Sequence, residues 1–516
     1  MRIIVALLLT VFFNFAFAQT PELVIDFNPG SEGSRAYLDA AYLGDDIIMT
    51  IRNEDVGDEV ALLKDGTISV LKDINSGPED GDPRSHVNFN SQVYFSAFDE
   101  ANGYAIWRTD GTPEGTVMDF DPGTSSANIR AMIVADNGNL YYNYDGKIFR
   151  CDGATHTEVF DGANLGFVFQ QAAFNYSKYQ NGIAFIVRNS NDSFTLYHID
   201  DDEAVQLATT IEYDFFTDGY GVVPVVGGLT FNVADDGADD VLYYDEVAGT
   251  LSTVPIGGSA SAAIRLFDTQ EGSAIGYFAN KGYYRYGGGE EPEKLYDVES
   301  IGLSQGQQLV AATRQGKAAF VADEGVFGDA YLVYTDGTSA GTNELREVQP
   351  YQSNMIQYGR YGFFADGTSN LFDPKIFQVD MEEGTVELVY SYNQSSNNTN
   401  SVRPLGVQDG FLYYFSNLDT DVGEELYRIE LDIVSSTQPS LVSEQSYMIT
   451  QQAEQITIAA PDENVKVNIV DSSGRLIVST EVRTNTAFVP SLGVGIYYLT
   501  VSGGLGTTTK PIVVAN

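Results

Sequence analysis

The feature that most constrains the fold is a short motif that recurs along the chain at a nearly constant interval. WRTDGTPEGTV at 107–117 has a near copy, VYTDGTSAGTN, at 333–343, and looser copies begin at Leu62, Ile148, Tyr197, Tyr243, Tyr283 and Phe377. In each copy an apolar run leads into a Gly/Asp turn and a second apolar run leaves it, which is the pattern of a β-hairpin. Further apolar segments precede the hairpins, so one unit contains about four strands.

The interval between units indicates the architecture. The apolar position after each turn falls at Val70, Val117, Val159, Val205, Leu251, Leu295, Leu345 and Val386, an average interval of about 45 residues. Four-stranded units of this length are typical of propeller blades, whereas helical repeats would show 3.6-residue apolar spacing. The sequence predicts an all-β protein whose main domain is a β-propeller of eight or nine four-stranded blades.

The two ends of the repeat region predict how the ring closes. The last unit, at 403–431, has no good final hairpin and therefore lacks a partner strand. ELVIDFNPGSEGS at 22–34 is similar to SVLKDINSGPEDG at 69–81 and TVMDFDPGTSS at 116–126. We therefore predict that residues 22–28 complete the final blade and remove its open edge. This composite makes nine blades, with eight as the alternative because propellers usually have about four to eight.

The motif resembles the ELWxxDGT repeat of secreted Bacteroidota proteins. The match is best over 94–123, where Ala105-Ile106-Trp107 stands in place of Glu-Leu-Trp and Asp110-Gly111-Thr112 follows. It is weaker over 320–348 and loose elsewhere. Trp107 is the only tryptophan of the chain. The resemblance therefore implies a fold and an exported protein, without a ligand role for the tryptophan.

The N-terminus predicts export. Arg2 precedes the apolar run 3–17, and Ala16-Phe17-Ala18 offers small residues for a signal peptidase. The run is shorter than the roughly 20 residues that a spanning helix needs. We therefore predict a signal peptide at 1–18, with cleavage between Ala18 and Gln19.

Charge and cysteine content exclude several classes of partner and bond. The chain has 72 acidic and 27 basic residues, a net charge of −45. That charge repels phosphate backbones, so we expect no nucleic-acid partner. Solubility explains it most simply, and cation binding or basic partners are the alternative. Cys151 is the only cysteine, so no intrachain disulfide stabilises the fold.

The C-terminal segment differs from the repeats. After a propeller domain at 19–431, a polar linker is predicted at 432–446 and a small β-sandwich at 447–516. The last segment resembles the type A C-terminal sorting domain of the type IX secretion system. The residues that carry this resemblance are Val470-Asp471, the turn Gly474-Arg475, Leu492-Gly493, Gly495-Ile496-Tyr497 and Lys510. The resemblance implies a partnership with the type IX machinery, delivery through the outer membrane, and release or covalent attachment at the surface. Pro511 in the last strand requires an edge position.

No catalytic residue is assigned. His86, His156 and His198 are the only histidines, and we expect core or surface roles for them. No GxSxG, HExxH or P-loop motif occurs. Carboxylates are so numerous that a pair suited to glycoside hydrolysis would arise by chance.

Two acidic loops are candidate metal sites, and calcium is the only cofactor candidate. Their oxygen ligands are spaced as calcium prefers but do not fit the EF-hand pattern. The candidate ligands are Asp419, Asp421 and Glu424 in DTDVGEE, and Asp235, Asp236 and Asp239 in DDGADD. The equivalent loop of another unit is FDEANG, which is typical of a turn. Each acidic loop is therefore either a calcium site or a turn.

The favoured function is that of a non-catalytic binding propeller, secreted or held on the outer cell surface after export to the periplasm. We expect a monomer with a protein or glycan ligand. The alternative is a carbohydrate-active or other hydrolytic enzyme with a carboxylate site on one propeller face. A pair of carboxylates facing each other across a groove would favour the enzyme.

Overall fold

The computed structural model describes two compact units, residues 1–433 and 434–516. Within them it describes residues 20–30, 33–123, 129–162, 177–188, 194–200, 203–209, 222–235, 238–254, 265–269, 272–278, 282–287, 291–296, 311–323, 330–348, 355–366, 374–392, 402–417, 422–431, 448–452, 455–459, 464–471, 476–483, 487–488, 495–503 and 506–514. Over these ranges the regular structure is all strand, and no helix has the length and apolar content needed to cross a membrane.

The first five blades follow one another along the chain. Blade 1 contains β2 (Arg35–Leu43), β3 (Asp46–Asn53), β4 (Gly57–Lys64) and β5 (Thr67–Lys72); blade 2 contains β6 (Arg84–Phe89), β7 (Gln92–Asp99), β8 (Gly103–Thr109) and β9 (Val117–Phe120); blade 3 contains β10 (Arg130–Val134), β11 (Leu140–Tyr144), β12 (Lys147–Cys151) and β13 (His156–Asp161). Blade 4 contains β14 (Ser177–Tyr179), β15 (Gly182–Arg188), β16 (Phe194–Asp200) and β17 (Glu203–Thr209); blade 5 contains β18 (Val223–Val225), β19 (Gly228–Asp235), β20 (Ala238–Asp245) and β21 (Thr250–Thr253).

The remaining blades repeat this order, except that the last one takes a strand from the N-terminus. Blade 6 contains β22 (Arg265–Asp268), β23 (Ala274–Phe278), β24 (Gly282–Tyr286) and β25 (Glu293–Tyr296); blade 7 contains β26 (Ala311–Arg314), β27 (Lys317–Asp323), β28 (Ala330–Thr335) and β29 (Asn343–Val348). Blade 8 contains β30 (Ile356–Tyr358), β31 (Tyr361–Asp366), β32 (Lys375–Asp380) and β33 (Thr385–Ser391); blade 9 contains β34 (Val402–Gln408), β35 (Phe411–Ser416), β36 (Glu425–Glu430) and β1 (Glu22–Ile25).

The predicted closure of the ring is confirmed. β1 pairs antiparallel with β36, with Glu22 opposite Arg428 and Leu23 opposite Tyr427. The Glu22 carboxylate also accepts hydrogen bonds from the Arg428 guanidinium at 2.8 and 3.0 Å. The described residues form nine four-stranded blades, which decides between the predicted counts of eight and nine.

An apolar cluster lies at each junction between consecutive blades of the described ring, including the junction of blade 9 with blade 1. At that last junction Ile47 and Met49 of blade 1 pack with Tyr413 and Phe415 of blade 9. The other eight clusters join the remaining pairs of neighbours. Each blade therefore buries both faces, as its continuous apolar runs predict.

A β-bulge recurs in the fourth strand of eight of the nine described blades. The register between the third and fourth strands shifts so that one residue of the fourth strand has no partner opposite it. That residue is Val24, Leu71, Asp119, Val159, Leu207, Leu295, Leu345 or Val389, in the order of blades 9, 1, 2, 3, 4, 6, 7 and 8. The apolar ones pack into the clusters between blades. Asp119 is therefore the one charged residue among the described bulges.

The C-terminal unit contains two sheets. The first consists of β37 (Met448–Gln452), β38 (Gln455–Ala459) and β41 (Ala487–Phe488); the second contains β39 (Asn464–Asp471), β40 (Leu476–Arg483), β42 (Gly495–Gly503) and β43 (Gly506–Val514). β39 pairs antiparallel with β40, the next strand along the chain. Pro511 lies on β43, which is an edge strand, as its missing N–H requires.

Candidate functional site

The DGT turn of blade 2 is held by its own side chains. The Asp110 carboxylate accepts hydrogen bonds from the N–H and hydroxyl of Thr112, at 3.0 and 2.7 Å. The hydroxyls of Thr109 and Thr116 are 2.8 Å apart across the base of the turn, and Gly111 donates its N–H to Thr109. These bonds fix a long hairpin loop without a ligand.

The copy in blade 7 has the same bonds. Asp336 accepts from Thr338 at 2.9 and 2.7 Å, and the hydroxyls of Thr335 and Thr342 are 2.7 Å apart. A Cβ at Gly341, as at Gly115 in blade 2, would overlap the carboxylate of the turn aspartate. Local geometry thus requires the second glycine of the motif as well as the aspartate.

The equivalent turn in blade 3 is shorter and is closed by different residues. Cys151 precedes Asp152-Gly153 as Thr109 precedes Asp110-Gly111, and Gly153 donates its N–H to the Cys151 sulfur at 3.3 Å. His156 starts the next strand and lies opposite Cys151. Cysteine and histidine therefore occupy the two positions that threonines occupy in the turns of blades 2 and 7.

A polar cluster forms where this turn contacts blade 2. The His156 Nε2 lies 2.8 Å from a carboxylate oxygen of Asp119, and its Nδ1 lies 2.8 Å from the Tyr142 hydroxyl. Arg108 binds the other carboxylate oxygen at 2.7 Å. These partners assign an Nε2–H tautomer to neutral His156, with Tyr142 donating to Nδ1. One ligand atom each from Asp119, Cys151 and His156 lies within 4.8 Å of the other two.

Burial controls the protonation of this cluster. Burial raises the pKa of the Cys151 thiol to about 11, so the thiol is neutral near pH 7. Burial also raises the pKa of the Tyr142 hydroxyl. Burial by itself would raise the pKa of Asp119. The hydrogen bond and charge of His156, together with Arg108, outweigh burial, so the pKa of Asp119 is lowered. The cluster therefore holds one carboxylate beside an inactive thiol, which does not suit nucleophilic catalysis.

The aromatic surroundings restrict access to the cluster. Phe120 stacks on the His156 ring with centroids 4.5 Å apart and planes 2° apart. The His156 side chain is 5% exposed, and Cys151 is fully buried. The side chains of Asp119 and Arg108 reach solvent, with exposed fractions of 19% and 36%. An ion can approach from the Asp119 side, whereas a polymer substrate cannot reach the thiol.

At each of two neighbouring junctions of the ring, a buried glutamate accepts hydrogen bonds from the backbone. Glu59 accepts hydrogen bonds from the N–H groups of Ile74 and Asn75, at 3.0 and 3.2 Å. Glu425 accepts from the hydroxyl of Ser34 and the N–H of Phe27. Burial raises the pKa of Glu59 to about 8 and that of Glu425 to about 7. In blade 2 the equivalent residue is Ala105, so this bond is missing where the polar cluster occurs.

The structure describes only part of the predicted calcium loops. Asp419, Asp421 and Asp236 lie outside the described residues, as do Ala18 and Gln19 of the predicted cleavage site. Asp235 ends β19 and Asp239 lies in β20, where it pairs with Ala234. Calcium binding and signal cleavage stay predictions.

Glu424 is the predicted calcium ligand whose side chain the structure describes. Its carboxylate lies 2.7 Å from the Arg35 Nε and 3.4 Å from the Arg403 Nε. A calcium ion at this loop would therefore compete with two guanidinium groups. In the equivalent loop of blade 2, Asp99 accepts hydrogen bonds from the N–H groups of Ala101 and Asn102, as expected for a turn.

No sequence pattern predicts the polar cluster. The sequence favours a core or surface role for His156, and no motif singles out Asp119. The available signal was the alignment of the turns, because TDGTPEGT at 109–116 and CDGATH at 151–156 differ at both closing positions. The position of Asp119 follows from the register of β9, because the sequence alone does not show which residue of the strand forms the bulge.

Comparisons with known proteins identify the C-terminal segment. Residues 452–515 match the family described as the secretion system C-terminal sorting domain. This domain indicates export, followed by secretion or attachment at the cell surface. The ELWxxDGT resemblance of the repeats stays a prediction. No curated protein matches the chain in sequence.

Solved structures resemble the chain at low identity. PorZ, a surface component of the type IX secretion system of Porphyromonas gingivalis, is 15% identical over 92% of this chain and 75% of its own, with a TM-score of 0.33. Porphyromonas gingivalis dipeptidyl peptidase 4 is 11% identical over 76% of this chain and 65% of its own, with a TM-score of 0.45. An oligogalacturonate lyase in complex with manganese is 12% identical over 78% of this chain and 99% of its own, with a TM-score of 0.38. At these values the likenesses carry no argument about function.

Proposed function

We propose that this protein is a non-catalytic binding propeller that the type IX secretion system delivers to the outer cell surface or the medium. The observation that carries the proposal is the sorting-domain match at 452–515 on a chain whose other unit is a closed nine-bladed ring. Delivery requires the sorting domain. The ring then offers a rigid scaffold whose loops can vary without disturbing the cores.

The strand order favours one propeller face for binding. In an antiparallel blade, the connection between the second and third strands and the connection to the next blade start from the same face. The strand bounds leave 11 to 15 residues for the connections between blades at 162–176, 210–222, 254–264 and 297–310, whereas strands joined at the other face are separated by at most seven residues. Long connections on a rigid scaffold are common sites of recognition. We infer that a protein or glycan ligand binds to this face.

One close pair of described carboxylates favours binding over hydrolysis. Asp58 and Asp82 lie near one another at the junction of blades 1 and 2, but Arg52 binds Asp58 at 2.6 and 2.7 Å, and Arg84 binds Asp82 at 2.7 Å. A hydrolytic pair needs one carboxyl group free to hold a proton and another free to attack or activate water. Carboxylates held by arginine are better suited to joining blades.

The experiment uses protein purified after secretion by a bacterium that has the type IX system. We expect the full chain outside the cell and a chain without residues 452–515 inside it. Glycan and protein arrays, probed with and without calcium, should then give saturable binding that is not followed by cleavage. Turnover of a glycan or peptide substrate would contradict the proposal, and a calcium requirement would support the acidic-loop prediction.

A further inference from the structure

Three departures from the repeat meet at one point between blades 2 and 3. Cys151 and His156 occupy the closing positions that threonines hold in the turns of blades 2 and 7. Asp119 occupies the bulge position that valine or leucine holds in the other seven described blades with a bulge. The three residues come from two blades, yet their ligand atoms lie within 4.8 Å of one another.

Each of these residues costs stability that the residue at the same position in the compared blades does not. A carboxylate at the bulge gives up apolar packing and must be desolvated beside the cluster of Tyr142 and Phe149. The threonine pair closes the turn in blades 2 and 7 without burying a titratable ring. Substitutions that arose independently would be spread over the ring. Here an oxygen, a nitrogen and a sulfur donor lie together at one junction.

These donors are those that zinc and related ions prefer. Zn²⁺ binds carboxylate oxygen, imidazole nitrogen and thiolate sulfur, and a site with three protein ligands keeps one position for water. The surroundings supply the outer contacts that such sites use. Arg108 holds one oxygen of Asp119 and leaves the other facing His156, while Tyr142 and the Phe120 ring fix the imidazole.

We propose that Asp119, Cys151 and His156 form a binding site for a divalent transition metal of the zinc class, which joins blade 2 to blade 3. Asp119 gives the carboxylate oxygen that faces His156, and His156 binds through Nε2. Its ring proton moves to Nδ1, so Nδ1–H now donates a hydrogen bond to the Tyr142 oxygen, and the Tyr142 hydroxyl changes from donor to acceptor. Cys151 binds as thiolate and releases its proton to solvent, so one proton leaves for each metal ion bound. The metal takes the place that a disulfide cannot fill in a chain with one cysteine.

The test measures metal binding by the full-length chain after chelator treatment. Zn²⁺ is titrated in competition with a chromophoric chelator, and Co²⁺ is added separately to record the thiolate-to-cobalt absorption. We expect one ion per chain, a higher melting temperature with Zn²⁺, and a thiolate-to-cobalt band. Failure of the wild type to bind Zn²⁺ at micromolar concentration would overturn the proposal and leave a hydrogen-bonded cluster only.

The variants introduce residues that other blades use at the same positions, threonine in the turns of blades 2 and 7 and leucine at the bulges of blades 1, 4, 6 and 7, so they are expected to fold. Cys151→Thr, His156→Thr and Asp119→Leu should each weaken Zn²⁺ binding by at least about 100-fold, and Cys151→Thr should abolish the thiolate-to-cobalt band. His198→Asn is the matched control, because His198 is a buried histidine of blade 4 whose Nε2 contacts the Tyr179 carbonyl. Zn²⁺ affinity unchanged in Cys151→Thr, or lost equally in His198→Asn, would contradict the assignment.

Discussion

The junction of blades 1 and 2 and the junction of blades 2 and 3 share one strand order, but different side chains hold them. At the first, Glu59 binds the backbone after β5, and Leu71 fills the bulge. At the second, Ala105 replaces the glutamate, and Asp119 replaces the leucine and binds Arg108 and His156. The backbone of the repeat therefore tolerates two different chemistries at the same positions. The bulge residue therefore decides whether a polar network is added to the apolar packing of a junction.

The largest expected effect comes from placing an aspartate at the bulge of the junction of blades 1 and 2, as the junction of blades 2 and 3 already has. Leu71 is 4% exposed. Leu71→Asp should destabilise the propeller by about 3–5 kcal/mol, because the carboxylate would be buried without a partner. Thermal and denaturant unfolding measure it, with Val117→Asp at the exposed end of β9 as control. If Leu71→Asp were as stable as wild type, bulge positions would accept carboxylates generally, and Asp119 would need no special partners.

The next effect tests the buried glutamate through pH. The folded pKa of Glu59, about 8, is above its ordinary value of 4.5, so the folded state binds the extra proton between these values. Its contribution to stability is therefore present below pH 4.5 and is lost as pH rises through 8, on the order of a few kcal/mol. Glu59→Gln should remove much of this pH dependence.

The control for this pH effect is Glu387→Gln, which changes an exposed carboxylate on β33. Melting temperatures of the three proteins, measured from pH 5 to pH 9, check the prediction. Equal pH profiles for wild type and Glu59→Gln would show that the junction carboxylate is ionised throughout this range.

A smaller effect concerns the turns that threonines close. Gly115→Ala and Gly341→Ala should each cost about 1–3 kcal/mol, because the added Cβ meets the aspartate that holds the loop. In Asp110→Ala combined with Gly115→Ala the overlap disappears, so the second change should cost less than it does alone. Strictly additive costs in this double-mutant cycle would mean that the carboxylate is not what excludes a side chain at Gly115.

The smallest expected effect lies in the second junction. Tyr142→Phe removes the hydroxyl that contacts His156 Nδ1 and should cost about 0.5–1.5 kcal/mol. Tyr144→Phe, which removes a hydroxyl bonded to the Gly123 carbonyl at 2.8 Å, is the comparison. Unfolding in chelator and in Zn²⁺ measures both variants. If Tyr142→Phe lowered the free energy of unfolding equally with and without Zn²⁺, the Tyr142 hydroxyl would not contribute to metal binding.

Sequence patterns predicted the fold in detail where the physics is local. The hairpin turns follow from Asp-Gly geometry, and the similarity of 22–34 to 69–81 predicted ring closure because both segments occupy the same place in a blade. The edge position of Pro511 follows from its missing N–H. The sequence predicts either eight or nine blades, since eroded copies such as that at Tyr283 carry too few turn residues to be counted as units.

The sequence by itself determined the all-β class, the repeat period, the closing strand and the sorting domain, because turn chemistry and strand alternation act over a few residues. Only the tertiary structure decided that Asp119 lies beside Cys151 and His156. A one-residue bulge turns that carboxylate inward, and the packing of two blades brings it to a histidine 37 residues away along the chain. Such a contact depends on register and blade packing, which no local pattern encodes.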